Sequence, residues 1–113
     1  MAKLQQTISL PSKLKVGSVD ISVQCLDGLV NISDDEGSYD GSKQIIILDK
    51  NIVEKGNSYS FLLVWHELCH VIYDHHLLKM ADEEIVVNAM SHGMTQIMRD
   101  NPQFFKWMQQ CLK

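Results

Sequence analysis

The residues best equipped for chemistry sit together at His66-Glu67-Leu68-Cys69-His70, an HExxH pattern. Residues i and i+4 of a helix share one face, so two imidazoles at this spacing converge on one zinc ion at about 2.0–2.1 Å. Glu67 lies about 100° round the helix from His66, next to where a metal-activated water would stand. From there it can accept the water's proton as general base and deliver it to a leaving amine. Zinc lowers the pKa of such a water toward about 7 and polarises a carbonyl. The pattern therefore points to metal-assisted hydrolysis, with Zn²⁺ as cofactor, His66 and His70 as ligands and Glu67 as base.

A catalytic zinc usually has three protein ligands and one open position. Glu84 is the favoured third ligand, since a glutamate from a following helix packed behind the first would complete a His₂Glu site. Asn88, one turn beyond Glu84 on the same face, can orient a ligand from outside. Glu83 is the neighbouring alternative, but it shares its face with Val87, Met90 and Met94, which read as core. Acidic residues opening a helix also complement its dipole, which is reason enough for both. His76 is the rival, in the spacing HExxHxxYxxH; there Tyr73 occupies a position that favours glycine if the chain is to leave the helix sharply. His75 and His76 are expected near the helix end. Cys69 reads as a small packing residue. Tyr39, Tyr73, His75 and His92 can each donate to an oxyanion, and spacing does not choose among them.

These residues must be held by a scaffold, and the chain changes character near residue 57. Val19, Ile21 and Val23 alternate with polar residues, the pattern of a half-buried strand. Gln44 to Leu48 is a second, β-branched strand, expected to lie at an exposed edge. Residues 34 to 42 read as a polar loop or hairpin connection, and a short strand is expected on either side of Pro11. A helix follows from about Tyr59 to Leu78, with Leu62, Leu63, Trp65, Cys69, Ile72 and Tyr73 at helical spacing and Asn57, Ser58 or Ser60 as cap. A second spans Asp82 to Arg99, capped by Asp82. Asn101 caps a third, with Pro102 at its first position and Phe104, Phe105, Trp107, Met108 and Leu112 as its apolar stripe. The fold class is α+β: a small, mainly antiparallel sheet in the N-terminal half, packed against the HExxH helix, a second helix and a short C-terminal helix. The 113 residues allow one domain, 1–113.

With these elements in order, the chain resembles the gluzincin-type zinc metallopeptidases, especially the small, often phage-encoded HExxH proteins. The likeness covers roughly residues 37 to 102: an isoleucine-rich strand at Gln44 to Leu48, the HExxH helix, a glutamate helix opening at Asp82-Glu83-Glu84, and Met90-Ser91-His92-Gly93-Met94 running into Arg99-Asp100-Asn101-Pro102. It implies a metal set of His66, His70 and Glu84 with Glu67 as base. The ExxxD of larger members appears here as Glu84 followed by Asn88, which removes a charge. No counterpart of the large C-terminal lobe of enzymes such as thermolysin is expected, and the resemblance then implies a shallow, one-sided cleft suited to flexible segments.

Composition bounds the partners. Ten Lys plus Arg against fourteen Asp plus Glu give a charge of −4, and Arg99 is the only arginine. A nucleic-acid partner, which calls for a basic stripe, is not expected. The longest apolar run, Phe61 to Trp65, is far short of the roughly 18 residues of a membrane span. No apolar segment opens the chain, and Cys25, Cys69 and Cys111 are widely spaced and odd in number, so a cytoplasmic protein without disulfides is expected. Two functions fit. One is a zinc metallopeptidase acting on a peptide or protein, with a regulatory protein as target by analogy to repressor-cleaving enzymes of mobile elements. The other is a non-enzymatic zinc-containing protein, such as a phage-type regulator or inhibitor of a host factor; the presence of Glu67 favours the enzyme.

Overall fold

A computed structural model describes residues 8–78 and 82–113. Among them the chain forms four strands and five helices in an α+β arrangement. Strand β1 (Lys13–Val16) turns at Gly17 into β2 (Val19–Leu26), with Val16 opposite Val19. The two-residue connection needs a left-handed residue, and Gly17 supplies it at φ 62°. The alternation read at Val19 to Val23 holds, since Ile21 and Val23 are buried. Before Pro11, residues 8–10 carry no regular structure, and residues 3 to 7 of the expected strand lie outside the described residues.

Helix α1 (Leu29–Ser33) then leads into β3 (Gly37–Asp40) and β4 (Ile45–Asp49). The strand order is β1-β2-β4-β3, with β4 parallel to β2 and antiparallel to β3. Two expectations are corrected here. The isoleucine strand is not an edge but lies between two partners, with Ile46 and Leu48 buried and Ile45 and Ile47 half-buried. The edge beside it is β3, inside the stretch expected to be loop. Gln44 takes φ 55° in the intervening turn and lies outside the strand. Asp40 organises that turn, its Oδ1 accepting from the Ser42 and Lys43 amides.

Asp49, buried at the end of β4, caps α2 (Lys50–Glu54) by accepting from the Asn51 and Ile52 amides, and its other oxygen accepts from the Val30 amide at 3.1 Å. Helix α3 (Ser58–His75) begins at a capping box of Asn57 and Ser60. The fully buried Ser60 hydroxyl also donates to the Ile52 carbonyl at 2.6 Å, locking α2 to α3. Val64, Leu68, Val71 and Ile72 form its buried stripe, in one core with Leu14, Ile21, Ile46 and Leu48 of the sheet. Leu62 and Tyr73, expected in that stripe, are exposed instead.

Helix α4 (Glu83–Asp100) is capped by Asp82, which accepts from the Ile85 amide. It buries Ala89, Gly93 and Ile97, while Met90, Met94 and Met98 pack against the core. Gly93 meets α3 so closely that an added Cβ would stand 2.9 Å from Ile72 Cδ1. Helix α5 (Pro102–Cys111) starts with Pro102 at its first turn, as expected. Asn101 does not cap it with its side chain, however: that carboxamide pairs with both backbone groups of Lys15 in β1. Phe104 and Trp107 of α5 stack with each other and close on Phe61 and Trp65 of α3. All three cysteines are free thiols. No helix among the described residues is long and apolar enough to cross a membrane.

Candidate metal centre

The inward stripe of α3 fixes the rotation of the helix, so its opposite flank, carrying His66 and His70, faces outward one turn apart. Both imidazoles are exposed, with ring centroids 4.9 Å apart and nearly perpendicular planes. Glu67, between them in sequence, is 4% exposed, and its Oε2 has no hydrogen-bond partner among the described residues. One ligand atom from each of the three residues lies within 4.8 Å of the others, so the group can hold a metal ion. The donor set fits such an ion. Two nitrogens are accessible for coordination, and an orphaned buried carboxylate oxygen is costly unless a cation or a polarised water meets it.

The three residues open on a cavity of about 560 Å³ whose other wall is the edge strand β3. Two glycines allow that wall to approach. At Gly37 a Cβ would stand 3.1 Å from Leu48 Cδ2 and 3.2 Å from Leu63 Cδ1; at Gly41 it would meet Asp74 Oδ2 at 2.9 Å. Both ends of β3 are pinned to α3. Just before it, Glu36 accepts from the Tyr59 hydroxyl. Near its far end, Tyr39 donates to Asp74 Oδ2 at 3.3 Å. Burial first, then the neighbouring Asp74 and Asp40 charges, push the Tyr39 phenol above its ordinary pKa. On its other side His66 borders an apolar notch of about 240 Å³ with Tyr59, Leu62 and Leu63.

The remaining candidates stand elsewhere. Glu83 and Glu84 are exposed in the first turn of α4 and belong to neither the metal-capable group nor its cavity. Helix α4 meets α3 at Gly93, nine residues after Glu84, so Glu84 is carried toward the end of α3 and not alongside His70. Helix α3 continues through Tyr73 to His75, and the left-handed residue that redirects the chain is Leu77, at φ 52°. His75 and His76 do lie at the helix end, and with His92 they border a separate concavity near Gly93 and Arg99. Cys69 is half-buried, outside the metal group, with its thiol pKa raised by burial. Of the four expected oxyanion donors, only Tyr39 and Tyr73 border the metal-capable residues. Asp74 escaped the sequence reading, although it continues the series His66, His70 one further turn along the same face. The chain matches no protein-family model, no curated protein and no solved structure.

Proposed function

We propose that the protein is a zinc-dependent peptidase that hydrolyses peptide bonds with Glu67 as general base. The observation that carries this is the buried Oε2 of Glu67, without a hydrogen-bond partner among the described residues, between two exposed imidazoles one turn apart, opening on a cavity bordered by an edge strand. A purely structural metal site has no use for a carboxylate in that position. His66 and His70 hold the zinc, which when bound supplies Lewis acidity to a water and to the scissile carbonyl. Glu67 takes a proton from the attacking water and returns it to the leaving amine. An extended peptide, a flexible segment of a partner protein, adds by backbone pairing to β3, the edge strand among the described residues. The strand at Gln44 to Leu48, expected at an edge, lies inside the sheet and leaves this role to β3.

Glu84 remains the third ligand in this proposal, although it stands outside the group formed by His66, Glu67 and His70. Zinc analysis of Glu84→Ala and His76→Ala tests that assignment: loss in the first and retention in the second is expected, and zinc fully retained in Glu84→Ala excludes Glu84. The activity itself is tested on a pool of internally quenched peptides. Wild type should cleave in the presence of zinc, and Glu67→Gln should keep its zinc and lose turnover. A zinc-loaded Glu67→Gln protein as fast as its parent overturns the proposal.

A further inference from the structure

Two phenol groups border the metal-capable cavity, and they are held differently. Tyr73 is exposed on the same helix as His66 and His70, and no hydrogen bond fixes its hydroxyl among the described residues. Tyr39 stands on β3, across the cavity from the two imidazoles, and is half-buried. Its hydroxyl reaches back over the cavity to Asp74, whose carboxylate fits because Gly41 carries no side chain. A peptide paired with β3 would present a carbonyl between these two walls.

We propose that Tyr39 is a catalytic residue of the peptidase reaction set out above, and the inference rests on that reading. Its O–H donates to the scissile carbonyl oxygen as that oxygen becomes an oxyanion, and Asp74 is the positioning residue that holds the hydroxyl at the cavity beforehand. No proton changes owner at Tyr39. The water's proton travels by Glu67 to the amine, and the phenol contributes a hydrogen bond that strengthens as charge develops. The resting bond to Asp74 is long at 3.3 Å, so exchanging it for an oxyanion partner loses little. Burial and the two nearby carboxylates keep the phenol protonated, as a donor must be.

The test compares zinc-loaded wild type, Tyr39→Phe, Tyr73→Phe, Asp74→Ala and Asp74→Asn. Three readouts are zinc per chain, turnover of a quenched peptide pool, and affinity for two probes. A phosphinic pseudopeptide presents a tetrahedral oxyanion, and acetohydroxamate needs only the metal. Tyr39→Phe should keep its zinc and its acetohydroxamate affinity. It should lose about 10²-fold in kcat with little change in KM, the usual effect of removing one oxyanion donor, and at least about tenfold in phosphinic affinity. Tyr73→Phe should match wild type. Asp74→Ala should lower kcat with zinc retained, and Asp74→Asn, which still offers an oxygen acceptor, should restore part of it. An active wild type matched by Tyr39→Phe in both kcat and phosphinic affinity overturns the role of Tyr39 and leaves the peptidase reading standing. A zinc-loaded wild type that neither cleaves the pool nor binds the phosphinic probe overturns both.

Discussion

Replacing Glu67 should make the metal-free protein more stable while making it inactive. Glu67 is 4% exposed and its Oε2 meets no donor among the described residues, so folding buries one carboxylate oxygen without a protein partner. A buried polar atom left unsatisfied costs about 1–3 kcal/mol, and an apolar group of similar shape escapes that cost. Methionine is unbranched and close to glutamate in length, so Glu67→Met should gain about 1–2 kcal/mol. Glutamine removes the charge but leaves an amide to satisfy, so Glu67→Gln should gain less, about 1 kcal/mol or below. In a domain of this size that corresponds to roughly 4–8 °C in Tm for the methionine variant. The assay is urea denaturation of chelator-stripped protein, followed by repetition with zinc. With zinc at 100 times its Kd, wild type gains about 2.7 kcal/mol by ligand linkage, so metal should shift its midpoint by somewhat more than the difference between variants. Both variants less stable than wild type in the absence of metal would refute the reasoning, because Glu67 would then have partners that the site does not contain.

Three further outcomes follow from the scaffold. Gly93→Val should destabilise by about 1–3 kcal/mol in urea denaturation, because even a Cβ would stand 2.9–3.1 Å from three atoms of the buried Ile72 side chain. Ser60→Ala should lose about 1–2 kcal/mol, since the buried hydroxyl both completes the α3 cap and donates to the Ile52 carbonyl, which is left without that donor. Asp100 is held down to about 2 by the Arg99 guanidinium and the Gln96 amide. A depressed carboxyl stabilises the fold above its unfolded value near 3.8 and loses that contribution as pH falls toward 2, so the stability difference between wild type and Asp100→Asn should shrink over that window. A difference that stays constant from pH 5 to pH 2 would exclude the linkage.

Helices α3, α4 and α5 were legible because their signals are local, whereas α1 and α2 were not expected. Asn57 and Asp82 cap α3 and α4 from adjacent positions, and Pro102 opens α5 at the expected place. The HExxH group was legible for the same reason, since four residues of helix fix the relation of His66 to His70. Strand β3 was not. Gly37-Ser38-Tyr39-Asp40 has little intrinsic preference for extension and becomes a strand by pairing with β4, a partner set by topology. The interior place of β4 was available in principle, since Ile45-Ile46-Ile47-Leu48 lacks the alternation of a half-solvated edge. The short helix α2 was signalled by Asp49, which caps it and does not merely close the strand. The separation of Glu84 from His70 depends on where α4 crosses α3, a contact between Gly93 and Ile72 that no spacing in the sequence encodes.

Zinc per chain, measured on purified wild type and on His66→Ala and His70→Ala after zinc loading and gel filtration, tests the central claim most directly. One zinc per wild-type chain, lost in both single variants while each remains folded, is the predicted result. A wild-type protein that stays folded and retains no zinc would contradict the account.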